Sequence, residues 1–184
     1  ARAEALILMG NKSNLITPKN GEILIAATQD FITGGYLLTQ KDEFLTKEQA
    51  MQLAACFLSG PDANMQIDMP RPAILKPRKL WTGKQIFSLL LKPNKQCPVQ
   101  VNLITKGRNY TSNYDLCSKD SWVIIRNSEL ICGSMDKGTM GSGTKNCIFY
   151  VILRDFGESF ATKCMWRLAR VSQTFFFIVF IRFI

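Results

Sequence analysis

Two copies of one short pattern, Thr46-x-x-Gln49 and Thr82-x-x-Gln85, most constrain how this chain can fold. In such a capping box the Thr hydroxyl and the Gln amide satisfy the first free backbone groups of a helix, so each copy fixes a helix start. The first opens a helix with Ala50, Met51, Leu53, Ala54 and Phe57 on its buried side, ending near Ser59-Gly60. The second opens a short helix through Leu91. Beyond Leu91 the pattern turns to strands: Val99–Ile104, Trp122–Arg126, Glu129–Cys132 and Cys147–Leu153. Asn127-Ser128 joins the middle pair as a two-residue hairpin turn, since Asn tolerates the positive φ required there. Phe160, Cys164, Leu168 and Val171 then recur at helical spacing, predicting a closing helix over 155–171. The expected class is α+β, with a helical first half, a β-rich second half and a closing helix.

Before the first box, Ala1–Met9 carries a helix pattern that Gly10 should end as C-cap. Because the chain starts with Ala1 inside that pattern, it is expected to begin within a longer protein. The stretch 11–22 is a polar loop, and 27–39 is a helix containing Gly34-Gly35. Each helical glycine costs about 1 kcal/mol, so a pair implies that another backbone packs close. From Asp62 to Pro77 the chain is an extended connection with Pro70, Pro72 and Pro77.

Composition narrows the chemistry. Histidine is absent from the 184 residues, which removes His-containing zinc sites, Ser-His and Cys-His nucleophiles and the usual neutral-pH proton shuttle. The six cysteines are at least fifteen residues apart, so no Cys-x-x-Cys knuckle exists; reduced, mostly buried thiols binding no zinc are expected. Asn11-Lys-Ser13 and Asn109-Tyr-Thr111 match the glycosylation triplet without a secretory context. A net charge of +9 favours polyanionic partners. The apolar end, Thr174–Ile184, is too short and too interrupted by Arg182 to cross a bilayer, which needs ~20 residues, so no membrane is expected. It carries the composition of a poorly packed, association-prone tail.

Gly133–Asn146 is glycine-rich but matches neither the Walker loop, because Lys145 follows Thr144, nor the dinucleotide fingerprint. It reads as a mobile connection between strands, or as a basic surface loop with Lys137 and Lys145 toward phosphates. Carboxylates nowhere form the cluster that two-metal phosphoryl transfer requires. Gln29-Asp30 follows a Pro/Gly loop at a helix start, where Asp interacts favourably with the dipole. Lys84, in the first turn of its helix, carries a charge mildly unfavourable there and so hints at an external anion or an acidic partner. Trp81 reads as core or interface.

Three blocks resemble a known family. They are Asn14–Glu22 with Gln29-Asp30 and Gly34–Thr39; Ile74–Ile86; and Asn127–Asn146. In order and content they are similar to the pore domain, the third domain, of the largest subunit of multisubunit DNA-directed RNA polymerases, most of all the RNA polymerase III version. The resemblance covers about 1–171, with 172–184 an apolar tail that departs from it. It implies a domain that follows the catalytic aspartate loop and frames the channel admitting nucleoside triphosphates beneath the active centre. Gln29, Asp30 and Asn20 would lie near the RNA 3′ end, with Lys84, Lys137 and Lys145 as channel or phosphate-facing cations. The aspartates that hold magnesium in the whole polymerase are missing, so this piece should hold no metal and carry no catalytic residue. Implied partners are other polymerase subunits, the DNA template, RNA and nucleoside triphosphates, in the nucleus. The rival reading is a free-standing basic nucleic-acid-binding module.

Overall fold

The computed structural model describes residues 1–107 and 121–181. The Asn109 triplet and Cys117 therefore lie outside the described residues. Seven helices are present among them: α1 (Arg2–Ile7), α2 (Gln29–Leu38), α3 (Lys47–Ala55), α4 (Gly83–Leu91), α5 (Lys137–Met140), α6 (Ile148–Phe156) and α7 (Glu158–Ile181). Two antiparallel sheets accompany them. One pairs β1 (Phe44–Leu45) with β2 (Trp81–Thr82); the other is ordered β3 (Leu103–Lys106), β4 (Trp122–Arg126), β5 (Glu129–Cys132). The class is α+β, as the pattern predicts.

Both capping boxes form. Gln49 N donates to Thr46 Oγ1 and Gln85 N to Thr82 Oγ1, while each Gln side chain accepts from the backbone N–H of its Thr. The turn also follows the sequence, with Asn127 at φ 50° and Ser128 at φ 67°. Ser128 is buried, and its hydroxyl accepts from Val101 N and donates to Val99 O, both at 2.9 Å. Those bonds take residues 99–101 out of the ladder, so β3 starts at Leu103 rather than Val99. Ser88 joins the helical and β halves: its Oγ donates to Lys84 O and accepts from Leu130 N at 2.9 Å.

Several expectations are corrected. The apolar run 147–153 is helix α6 rather than a strand. Its buried residues Ile148, Phe149, Val151 and Ile152 follow helical spacing, a distinction that a short apolar run conceals. Gly133–Asn146 is not a mobile strand connection. It contains α5, capped by Asp136, and buries Met135, Thr139 and Met140. Gly10 has φ −61° and does not cap α1 in the left-handed conformation; Leu8 ends that helix. The closing helix begins after Gly157, at φ 90°, and runs through Ile181, well past Val171. Phe175 and Ile178 on that extension are 0% and 7% exposed, so this part of the tail is packed. Met51, expected on the buried side of α3, faces outward.

One core spans both halves, running from Ile23, Leu38 and Phe57 through Phe87 and Ile125 to Phe149, Leu168 and Phe175. Asp62 is buried in it, held by Arg167 Nε at 2.8 Å, with Lys163 Nζ at 3.7 Å. Arg167 also donates to Leu90 O at 3.1 Å, which ties the 56–62 turn and α4 to α7. A buried charge pair needs such additional hydrogen bonds to offset desolvation. Cys147 and Cys164 are buried thiols; burial pushes both up, Cys164 to about 12, so they stay protonated near neutrality. No helix among the described residues is long and apolar enough to cross a membrane.

Candidate functional site

The first turn of α2 stands at the wall of a groove of 530 Å³ lined by Thr28, which precedes α2, by Gln29, Asp30 and Phe31 of α2 and by Ser172, Gln173 and Phe176 of α7. Gly34 and Gly35 give α2 a face without side chains. A Cβ on Gly34 would stand 2.8 Å from Ser172 Cβ and 3.2 Å from its Cα, and one on Gly35 would meet Met140 Cε at 2.7 Å. The glycine pair thus lets α7 and the α5 segment approach α2 closely, as the sequence suggested. The partners, Ser172 and Met140, could not be read from it.

Thr28, the N-cap, makes no side-chain capping bond. Gln29 adopts φ 42° at the helix entrance. For a residue with a Cβ, positive φ is uncommon and costs on the order of 1–2 kcal/mol, a strain that persists only where surrounding packing imposes it. Both Gln29 and Asp30 are exposed, and Asp30 lies in the first turn, favourable for the helix dipole. The groove thus presents an amide with donor and acceptor beside a carboxylate. Buried behind it is the hydroxyl of Ser172, the one buried side-chain polar atom among the described residues without a hydrogen-bond partner. Ser172, Gln173 and Phe176 were missed because the sequence assigned them to a departing tail.

Asn20 lies in the turn preceding this site, where Thr17 N donates to Glu22 O and Asn20 Oδ1 accepts from Glu22 N at 3.2 Å. Its side chain stabilises the turn and does not line the groove. The Gly-rich segment is brought against the approach to Gln29: Ala27 N donates to Met140 O at 3.2 Å and Gly143 N to Ile23 O at 3.3 Å. Behind α2, Thr39 Oγ1 donates to Gly35 O and accepts from Met135 N at 2.8 Å. Lys137 and Lys145 on that segment are exposed, yet neither lines the groove. Lys84 is half-buried on α4 and has an interaction of its own within the chain. The premise that it is a cation without local benefit is therefore corrected. Among the described residues no three or more carboxylate, thiol or imidazole groups converge to hold a metal ion.

Comparison with known proteins identifies this architecture. The family model described as RNA polymerase Rpb1, domain 3, matches residues 14–180. DNA-directed RNA polymerase III subunit RPC1 of Homo sapiens is 56% identical over 176 residues, covering 95% of this chain. The subunits of the same name from Dictyostelium discoideum and Saccharomyces cerevisiae are 50% and 46% identical over 175 and 181 residues, each covering 95% of the chain. The chain spans only 13% of the human protein's length and 12% of the other two. The match takes in α2, both capping boxes, the hairpin and α7 up to residue 180, and the chain belongs to the family of RNA polymerase Rpb1, domain 3.

Proposed function

We propose that this chain is the third domain of the largest subunit of a nuclear DNA-directed RNA polymerase of the RNA polymerase III type. In that enzyme it frames the channel that admits nucleoside triphosphates beneath the active centre. The observation that carries the reading is the family match across 14–180 together with relatives that share about half of the residues over 95% of the chain. Within the domain, the strained, exposed Gln29 beside Asp30 is the feature best suited to meet a nucleotide or the RNA 3′ end. Strain at an exposed polar residue is what a functional constraint leaves in a fold. Asn20 supports the turn that leads to Gln29, and Lys137 and Lys145 offer charge beside that approach.

In this reading polymerisation belongs to the whole complex of subunits acting on template DNA. Magnesium belongs in this reading to aspartates elsewhere in the subunit, as the resemblance to the polymerase family implies. The test is Gln29→Ala in an assembled polymerase, with the isolated chain as a control that makes no RNA. Losing a transition-state hydrogen bond of about 1.5–3 kcal/mol should slow elongation, or cleavage of backtracked RNA, roughly ten- to a hundredfold while assembly stays normal. Normal elongation and cleavage would leave Gln29-Asp30 as a helix start only. RNA synthesis by the isolated chain would overturn the assignment of catalysis to the rest of the complex.

A further inference from the structure

The charge of this chain is segregated. Between Asp68 and Asp115 there is no Asp or Glu, and nine Lys and Arg; outside that stretch cations and carboxylates are equal in number. The whole net charge of +9 therefore resides in one quarter of the sequence. Its densest part is a loop that the fold holds closed. Ile74 N donates to Leu80 O at 3.1 Å and Leu80 N to Ile74 O at 3.0 Å, and the five residues between 74 and 80 are all exposed.

The base of the loop is fastened to the body of the protein. Trp81, buried, donates through Nε1 to Pro70 O at 2.9 Å, and Gln85 Nε2 donates to Arg71 O at 2.8 Å. The tip reads Leu75, Lys76, Pro77, Arg78, Lys79. None of its three cations makes a side-chain hydrogen bond or ion pair among the described residues. Proteins ordinarily disperse like charges or pair them. Here three stand within four residues, with no carboxylate for over thirty residues on the C-terminal side. A clamped loop of this kind presents its charges together at little further ordering cost.

We propose that the 75–79 loop is a contact for the phosphodiester backbone of a nucleic acid strand. The tip has no amide or aromatic side chain with which to read or stack on a base, so recognition is of phosphate and independent of sequence. Arg supplies a planar fork for phosphate and Lys a point charge, a combination suited to an irregular row of phosphates. This site is separate from the groove at Gln29 and does not depend on the channel reading above.

The experiment uses the full 184-residue chain with fluorescent 20-nucleotide single-stranded RNA and duplex DNA, read by anisotropy over a range of salt. The variant K76Q/R78Q/K79Q should bind at least tenfold more weakly. Its slope of log affinity against log salt on RNA should fall by about 2, the value for three released counterions at ~0.7 each. The control K12Q/K19Q/K47Q removes the same charge at exposed sites elsewhere and should change affinity less than threefold. Three RNAs of different base composition should bind alike, and the melting temperature of both variants should match the parent. Comparison of RNA with duplex DNA shows which strand form the loop prefers, and preferential binding of either supports the site. Equal weakening by the two triple variants would overturn it, as would strong dependence on base sequence. So would binding of a 20-residue polyglutamate as tight as that of RNA.

Discussion

The two ends of the described chain are both rich in apolar residues, and the fold treats them oppositely. At the start, Leu6 and Met9 are 66% and 76% exposed and α1 buries no residue. At the end, α7 carries Phe175 and Ile178 into the core and packs along α2. Composition does not separate the two. What separates them is a complementary surface: α7 meets a face of α2 stripped of side chains at Gly34, whereas α1 buries no residue against the other described residues. Burial follows from the partner as much as from the apolar residue, because the hydrophobic gain scales with area actually removed from water.

The sharpest way to break this comparison is at Phe175. Replacing a fully buried Phe by Ala removes its transfer energy and leaves a cavity, together about 3–5 kcal/mol. Phe175→Ala should lower the denaturant midpoint accordingly, and a chain cut before Gln173 should be at least as unstable. An unchanged midpoint in both would return the end of α7 to the status of a loose tail and leave Ser172 without its neighbours.

How much of this was legible depends on whether the determinant is local. Both capping boxes and the Asn127-Ser128 turn are written within four residues, and the structure places them as the sequence does. Gly34-Gly35 announced a close approach because a helical glycine pair is costly without one, but Ser172 lies over a hundred residues away and carries no pattern that names its partner. The run 147–153 was misread because seven apolar residues show no period, and β-branched Val and Ile bias the reading toward strand. The buried Asp62–Arg167 pair left no signal, since each residue alone reads as a solvated charge. Of the residues that line the groove, Gln29 and Asp30 were singled out in the sequence, while those of the α7 wall were not.

A smaller effect sharpens the contact between the two helices. Gln29 holds φ 42° while α2 is pinned against α7 through Gly34. Glycine adopts positive φ without the Cβ penalty but loses more freedom on folding. The balance favours Gln29→Gly by about 0.5–1 kcal/mol, visible as a higher melting temperature. A drop of similar size would mean that the Gln29 side chain contributes packing that outweighs the strain.

The smallest expected effect lies at the opposite end. Leu6 and Met9 are large apolar side chains, and a reading from composition alone would make them costly to alter. Their exposure says otherwise: most of their area already faces water, so little is gained or lost when they are replaced by Gln. Gln is also a fair helix former, so the propensity of α1 is little changed at Leu6. The double variant L6Q/M9Q should therefore keep its unfolding free energy within about 0.5 kcal/mol, as exposed substitutions do. A loss of 2 kcal/mol or more would show that α1 packs in solution against a surface it does not touch here, and the contrast between the two ends would fail at its exposed member. With Phe175→Ala measured on the same chain, the ratio of the two effects tests whether partner surface or apolar content sets stability.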